Sequence, residues 1–108
     1  MKIWGLKACD TCRKANKAIA AQGVELESID VRADGVATDD LNRFYDAFGE
    51  ALVNRRSTTW RGLSEDERAG DPIELLREHP TLMKRPVIEH QGTLYLGWGA
   101  DVQAAILD

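Results

Sequence analysis

The sequence predicts an α/β domain in which a β-α-β unit and a β-β-α unit flank an all-helical segment. A short apolar run, Ile3–Leu6, is followed directly by a helical stripe that ends at Gly23, which indicates the first unit. Two apolar runs around Gln91 and Gly92, and a closing apolar stripe, indicate the last unit. Between them, about residues 38–80 carry helix caps and no strand pattern. This order is that of a thioredoxin-like domain with an all-helical insertion.

The opening β-α-β unit rests on two periodicities. Apolar or small residues recur at helical spacing at Cys12, Ala15, Ala18 and Ile19. The segment Val24–Asp30 then reads as a second strand, because its apolar residues begin by alternating with glutamates. A crossover of this length makes the two strands parallel and the connection right-handed.

The middle segment is predicted to be mostly helical over residues 38–79. Residues 32–37 are polar and read as a loop, and Thr38 is expected to cap the first helix. The other signals are the apolar stripe Leu41, Phe44, Tyr45 and Phe48 closed by Gly49, the capping box Ser64–Glu67, and the pair Asp71 and Pro72. Pro80 should end the last of these helices.

The closing unit is predicted as a hairpin followed by a short helix. Its strands are Val87–His90 and Thr93–Leu96, and the helix runs from about Ala100 to Leu107. A chain of 108 residues suits one hydrophobic core better than two. We therefore expect a single domain over residues 1–108.

Composition narrows the function classes. The net charge of −4 argues against broad nucleic-acid binding, which depends on a basic surface. The sequence contains no apolar run of the roughly 18 to 20 residues that a bilayer span needs, and its start lacks a signal-peptide pattern. We expect a cytoplasmic protein with no membrane partner. No long apolar stripe demands a second copy, so a monomer is expected.

The basic residues form islands on an otherwise acidic chain. Residues 1–20 carry five Lys or Arg against one Asp, whereas residues 25–50 carry eight acids against two arginines. Further basic islands are Arg55, Arg56 and Arg61, and then Lys84 and Arg85. If folding joins these islands, they make an anion-attracting pocket.

Chemistry is best sought at the two cysteines, Cys9 and Cys12, because a cysteine pair in a reducing compartment is more often catalytic or metal-binding than structural. Cys9 falls where a buried strand meets a helix, so unpaired amides and the helix dipole favour its thiolate. Lys7 and Arg13 are expected to add to this effect. Cys12 lies one turn later and is predicted to be the resolving thiol.

Two other interpretations of the cysteines remain open. A zinc site would need two further ligands, and the histidines that could supply them, His79 and His90, are far apart in sequence. The cysteines could also be inert buried side chains, although the polar residues around them argue against this. We expect neither a metal nor a bound cofactor.

Arg56 and Arg85 are the next candidates, because a guanidinium presents a rigid fork of donors to oxyanions and carboxylates. Taken alone, an arginine is more often a solvated surface charge or a salt-bridge partner. Pro86 follows Arg85, and from the residues alone the bond between them is expected to be trans, since only about 5 to 6% of such bonds are cis.

Three motifs together carry a family resemblance. They are the segments 9–15 (Cys-Asp-Thr-Cys-Arg-Lys-Ala), 56–63 (Arg-Ser-Thr-Thr-Trp-Arg-Gly-Leu) and 84–88 (Lys-Arg-Pro-Val-Ile). In this order and at these separations they resemble the arsenate reductase (ArsC)/Spx family, and most closely its YffB-like members. The resemblance spans nearly the whole chain.

The resemblance implies a function and roles for individual residues. Cys9 corresponds to the attacking cysteine, Arg56 and Arg85 to anion-binding arginines, and Pro86 to a cis-proline beside the active site. The implied activity is that of a thiol reductase, with glutathione as probable co-substrate and glutathione or a glutaredoxin-like protein as electron donor.

Two features of the sequence bear on the substrate. Where glutathione-linked arsenate reductases carry a further arginine after the hairpin, this chain has residues 96–99 (Leu-Gly-Trp-Gly), so arsenate is the less favoured substrate. Cys12 matches the second cysteine of the Spx redox switch. The alternative to an enzyme is therefore an Spx-like regulator that binds RNA polymerase under control of a Cys9–Cys12 disulfide.

Overall fold

The computed structural model describes residues 1–107, in which the element order is the one that the sequence predicted. The strands are β1 (Lys2–Gly5), β2 (Glu27–Asp30), β3 (Val87–His90) and β4 (Thr93–Leu96). The α-helices are α1 (Asp10–Ala21), α2 (Thr38–Phe48), α3 (Thr58–Arg61), α4 (Glu65–Arg68), α5 (Pro72–Glu78) and α6 (Ala100–Ile106). Short 3₁₀ helices span Gly49–Leu52 and Pro80–Leu82. Internal contacts divide the chain into two compact units, a sheet unit of residues 1–31 and 85–107 and a helical unit of residues 32–84.

The sheet unit contains all four strands in the order β2-β1-β3-β4. Strands β1 and β2 are parallel, as the α1 crossover between them requires, and the pairs β1–β3 and β3–β4 are antiparallel. Ile3 pairs with Ser28 on one side and with Ile88 on the other. The central strand β1 thus ends with neighbours on both sides, directly before the cysteine motif.

One hydrophobic cluster holds α1 and α6 against the sheet. It comprises the buried residues Ile3, Ala15, Ile19, Ile88, Val102 and Ile106. Ala15 and Ile19 are four residues apart and so share one face of α1, which explains the helical stripe in the sequence. Full burial of one isoleucine contributes about 1.5 to 3 kcal/mol, so this cluster fixes where α1 begins relative to β1.

The helical unit is built from short helices with well-defined starts. Helix α2 packs against α5, and its apolar stripe buries Leu41 and Phe44. The Ser64 hydroxyl and the Glu67 carboxylate form the predicted capping box at α4, and the Asp71 carboxylate accepts a hydrogen bond from the Glu74 amide at α5. Helices this short gain little from propagation, so caps and packing stabilise them.

The structure corrects several predicted boundaries. Helix α1 begins at Asp10, with Cys9 in the capping position. Strand β2 is confined to Glu27–Asp30, because residues 22–26 form the connection that follows α1. Thr38 is the first residue of α2, and Ala37 occupies the capping position without a side-chain hydrogen bond. Pro80 ends α5 as predicted but opens a 3₁₀ turn.

None of the helices formed by residues 1–107 combines the length and the apolar character needed to cross a membrane.

Candidate functional site

The two cysteines lie at the turn that joins β1 to α1. The Cys9 amide donates to the Leu6 carbonyl at 3.1 Å, and the Cys9 carbonyl accepts the Arg13 amide at 3.0 Å. Cys9 therefore caps the helix through its backbone, with extended φ and ψ values of −84° and 119°. Its side chain is half-buried, whereas Cys12, one turn into the helix, is only 1% exposed. The turn presents one accessible thiol and shields the other.

The surroundings of Cys9 favour its thiolate. Partial burial acts to raise the pKa of Cys9, but the amide and thiol of Cys12, the charge of Arg85 and the amide of Thr11 all lower it. The net result is a pKa of Cys9 below its ordinary value. The thiolate is the nucleophilic form of cysteine, so at a given pH a larger fraction of Cys9 than of an ordinary cysteine is in the reactive form.

The pKa of Cys12 is shifted in the opposite direction, upward. Burial is the largest cause, and with the neighbouring Cys9 sulfur it outweighs the lowering effects of the Leu6 amide and Arg85. The pKa of Cys12 is raised to about 11. At neutral pH Cys12 is therefore a neutral thiol, whose S–H group can donate to the Cys9 sulfur.

Gly5 makes the close packing of Cys12 possible. A Cβ atom at Gly5 would lie 2.7 Å from the Cys12 sulfur and 3.1 Å from its Cβ. Contacts this short do not occur between real atoms, so only glycine fits at the end of β1. Sequence reasoning missed this residue, although a glycine at the end of a buried strand next to a cysteine motif is a signal for close approach.

Arg85 and Pro86 lie in the same unit as the cysteines. The half-buried Arg85 is the positive charge that acts on both sulfurs. The bond between Arg85 and Pro86 is cis, so the trans expectation from the residues alone was wrong and the expectation from the resemblance was right. Pro86 is buried, and its carbonyl accepts the Gly97 amide at 2.8 Å.

Lys7 and Arg13, which were expected to help lower the pKa of Cys9, are both exposed. Arg13 forms an exposed ion pair with Asp10 within α1, and Lys7 is exposed with its backbone amide 3.4 Å from the Asp30 carboxylate. From the sequence, these two residues were expected to add to the effect of the amides and the helix dipole on the pKa of Cys9. The structure gives Arg85 as the cation that lowers it.

Arg56 belongs to the helical unit, where it lines a cavity. This cavity has a volume of about 540 Å³, and Lys84, Asn54 and Glu50 also line it. The Asn54 amide donates to the Leu82 carbonyl at 2.8 Å and the Lys84 amide to the Leu52 carbonyl at 2.7 Å, which joins residues 52–54 to residues 82–84. From the sequence, Arg56 was named as a site candidate, and Lys84 was placed in a basic island without being named as a candidate of its own.

The neighbouring arginine, Arg55, is already engaged. It lies 3.7 Å from the Glu50 carboxylate and 5.6 Å from the centre of the Trp60 ring, which Arg68 also approaches at 5.5 Å. Arg56 and Lys84 form no ion pair with an acidic side chain within residues 1–107. They are the cations of this cavity that remain available to an anion.

Within the described part of the chain, no group of three or more His, Cys, Asp and Glu side chains is close enough together to hold a metal ion. The structure thus brings Cys9, Cys12, Arg85 and Pro86 into one unit, and it places Arg56 in the other.

Alkylation of Cys9 should depend on Arg85. In the reduced protein the midpoint of the rate against pH should lie below that of an ordinary thiol, because Cys9 is deprotonated at lower pH. Arg85→Ala should raise the midpoint, because it removes a charge that lowers the pKa of Cys9, and Arg85→Lys should retain most of the effect. Peptide mapping after iodoacetamide treatment measures both cysteines; an unchanged midpoint in Arg85→Ala, or earlier labelling of Cys12, contradicts this prediction.

Comparisons with known proteins agree with this geometry. The solved structure of the YffB (PA3664) protein superposes with a TM-score of 0.90 at 34% identity, covering 99% of this chain and 98% of that one. An uncharacterized protein of Haemophilus influenzae is 38% identical over 95% of this chain and 96% of its own length. The global transcriptional regulator Spx of Streptococcus pyogenes serotype M3 is 26% identical over 93% of this chain and 79% of its own length.

The superposition confirms the α/β, thioredoxin-like fold that the element order predicted. Residues 4–106 match the ArsC family, a range that contains both cysteines, both candidate arginines and every strand except the first two residues of β1. The chain belongs to the ArsC family.

Proposed function

We propose that this protein is a thiol-dependent reductase that uses Cys9 as nucleophile and glutathione as co-substrate. Membership of the ArsC family supports an oxidoreductase. The observation that carries the proposal is the unlike pair of thiols at the start of α1, in which the pKa of Cys9 is lowered and that of Cys12 is raised. An inert buried pair has no reason to be so different.

The first step is a thiol–disulfide exchange. The Cys9 thiolate attacks one sulfur of a substrate disulfide, forms a mixed disulfide with it, and releases the other sulfur as a thiolate. Arg85 stabilises the Cys9 thiolate before attack, and the backbone amides of Thr11 and Cys12 act in the same direction. No electrons leave the three sulfurs in this step.

The second step regenerates Cys9. A glutathione thiolate attacks the mixed disulfide and releases the second substrate thiol, and a further glutathione then attacks the Cys9–glutathione disulfide. The products are oxidised glutathione and the Cys9 thiolate, so two glutathione molecules supply the two electrons that the substrate gains. A glutaredoxin-like protein is an equivalent donor.

Cys12 offers a second route for resolution. Its raised pKa rests partly on the charge and hydrogen bond of the Cys9 sulfur, and both disappear once Cys9 is in a mixed disulfide. The pKa of Cys12 then falls, although burial still opposes its ionisation. Its thiolate attacks the Cys9 sulfur, the substrate leaves as a thiolate, and two glutathione molecules reduce the resulting Cys9–Cys12 disulfide.

The cations would bind the anionic groups of the reactants. The charge of Arg85 acts on both thiols, and Pro86, Lys7 and Arg13 belong to the same sheet unit. Arg56 would provide an anion site in the helical unit. A carboxylate of glutathione fits each guanidinium in size and charge. Since residues 96–99 lack an arginine, we do not assign arsenate as substrate. We propose a cytoplasmic monomer that needs no metal, membrane or nucleic acid.

Mass spectrometry tests this proposal directly. The reduced protein is equilibrated in glutathione buffers of graded redox poise, and intact mass and peptide mapping locate each adduct. We expect one glutathione on Cys9 or a Cys9–Cys12 disulfide, depending on poise. Arg56→Ala and Arg85→Ala should each slow adduct formation several-fold, whereas Arg77→Ala, an exposed arginine paired with Glu74, should not.

Two results would overturn the assignment. If both thiols stay unmodified at every poise, Cys9 is not the proposed nucleophile. If glutathione attaches to Cys12 first, the roles of the two sulfurs are reversed.

A second candidate function is a redox-controlled regulator. It is favoured by the 26% identity to the Streptococcus pyogenes regulator Spx. It is also favoured by the two neighbouring thiols, because a disulfide between them would distinguish an oxidised from a reduced state. Such a protein would bind RNA polymerase in only one redox state. Pull-down with purified polymerase, using oxidised and reduced protein and a Cys12→Ser control, decides this; equal or absent binding in both states removes the candidate.

A further inference from the structure

A groove on the sheet unit lies between α1 and the edge strand β2. Its volume is about 540 Å³, within the range of roughly 300 to 1,000 Å³ that ligand sites occupy. Ile3, Leu6 and Ile29 give it an apolar lining. Strand β2 pairs with β1 on one side and is the edge strand of the sheet. The groove therefore runs beside a strand whose outer edge pairs with no other strand of the sheet.

The rim of the groove is basic. Lys7, Arg13 and Lys17 line it, against the single acid Asp30. Arg13 forms an ion pair with Asp10, but both side chains are exposed, so the pair contributes little and can rearrange. Lys7 and Lys17 form no side-chain ion pair within residues 1–107. On a chain of net charge −4, this rim is a local site for anions.

The groove adjoins the thiol pair. Gly5 is one of its lining residues, and the position of a Cβ at Gly5 is 2.7 Å from the Cys12 sulfur. Lys7 and Arg13 flank Cys9 in the sequence on either side. Leu6 and Arg13, which also line the groove, are hydrogen-bonded to the backbone of Cys9, so the groove borders the turn that carries the two thiols.

The spacing of the rim charges fits an extended peptide. Arg13 and Lys17 are one turn apart on α1, a rise of about 6 Å. Alternate residues of an extended chain are about 6.6 Å apart. Carboxylates at alternate positions of an extended segment thus meet successive cations, while the intervening side chains point away from the rim.

We propose that this groove binds an extended acidic segment, with alternating acidic and apolar residues, that flanks the oxidised cysteine of a protein substrate. The inference rests on the proposed reductase function and adds to it the substrate class, a protein disulfide in an acidic context. Charge complementarity selects the segment, the apolar lining buries its side chains, and the position of the groove directs its cysteine to Cys9.

The test measures binding without chemistry. A fluorescent, cysteine-free peptide with alternating Glu and Leu, and a control with Lys in place of Glu, are titrated with the reduced protein by anisotropy. At low salt we expect the acidic peptide to bind at least about tenfold more tightly, and raising salt should weaken it, because the rim is exposed. Lys17→Glu should weaken binding about fivefold or more, whereas Lys14→Glu, the same change on the same helix outside the groove, should have less than about a twofold effect.

Equal losses in Lys17→Glu and Lys14→Glu would overturn the proposal, because they would indicate attraction to α1 in general. Equal binding of the two peptides also overturns it. So does tight Lys17-dependent binding of succinate with no binding of the acidic peptide, because the groove would then be a small-molecule site.

The outcome is independent of the proposed chemistry. Cys9→Ser should bind the acidic peptide as the unmodified protein does, because the peptide contains no disulfide. If Cys9→Ser keeps full reductase activity, the proposed function is wrong. Binding of the acidic peptide then still decides the groove proposal. If Cys9→Ser is inactive and no peptide binds, the groove proposal fails alone.

Discussion

Serine in place of Cys9 is expected to reduce thiol-reductase turnover by about a thousandfold or more. A serine hydroxyl at the start of α1 is not ionised at neutral pH and cannot form a disulfide, so the mixed disulfide with the substrate is lost. The folded state should change little, because the Cys9 side chain is only half-buried and a serine hydroxyl at the capping position can accept hydrogen bonds from the same Thr11 and Cys12 amides. The measurement is glutathione-dependent reduction of a model disulfide at equal protein concentration.

Cys12→Ser is the matched control. It removes the resolving thiol but keeps the nucleophile, so turnover should fall only in part and the Cys9–glutathione adduct should accumulate. A loss as large as that of Cys9→Ser, in a variant with an unchanged thermal midpoint, would mean that glutathione alone cannot resolve the mixed disulfide. Full activity of Cys9→Ser would exclude the mechanism.

Gly5→Ala adds only one methyl group, but we expect it to lower the free energy of unfolding substantially. The added Cβ would overlap the Cys12 sulfur at 2.7 Å, and that side chain is buried, with 1% of its surface exposed. Overpacking of this kind costs about 1 to 3 kcal/mol, and we expect Gly5→Ala to lie near the upper end. For a domain of about 100 residues this corresponds to a fall in Tm of roughly 10 to 20 °C.

The chain offers matched controls for this prediction. A Cβ at Gly99 would lie 2.9 Å from a carboxylate oxygen of Asp101, the end of an exposed side chain that can rotate away. Gly99→Ala should therefore cost much less. In a Cys12→Ala background the sulfur is gone, and Gly5→Ala should lose more than half of its effect. Additive losses in that double variant would show that the clash with the Cys12 sulfur is not the cause.

Much of the fold could be predicted because local signals and tertiary packing agree. The strands on either side of Gln91 and Gly92 were located to the residue, since a two-residue turn between apolar runs sets both strand ends. The caps at Ser64 and Asp71 were read correctly for a similar reason, because their hydrogen bonds are local. The overlong strand prediction at residues 24–30 failed because only β1 decides where pairing with β2 begins.

The site could be predicted only in part. Cys9 and Cys12 were found from their spacing, but their opposite pKa shifts follow from burial and from Arg85, which is distant in sequence. The role of Gly5 and the groove beside Lys17 needed the packing of α1 on the sheet, which no periodicity encodes. The cis bond before Pro86 was signalled by family resemblance and by nothing in the local residues.

The sheet unit is assembled from two separated stretches of chain, with the whole of residues 32–84 between them. During synthesis this intervening stretch takes roughly 3 to 10 s to emerge at typical elongation rates. Throughout that interval the nascent chain carries both cysteines but neither β3, the second neighbour of β1, nor Arg85. The contribution of Arg85 to the difference between the two sulfurs is therefore a property of the finished chain, whereas the hydrogen bonds within residues 6–12 can form before it emerges.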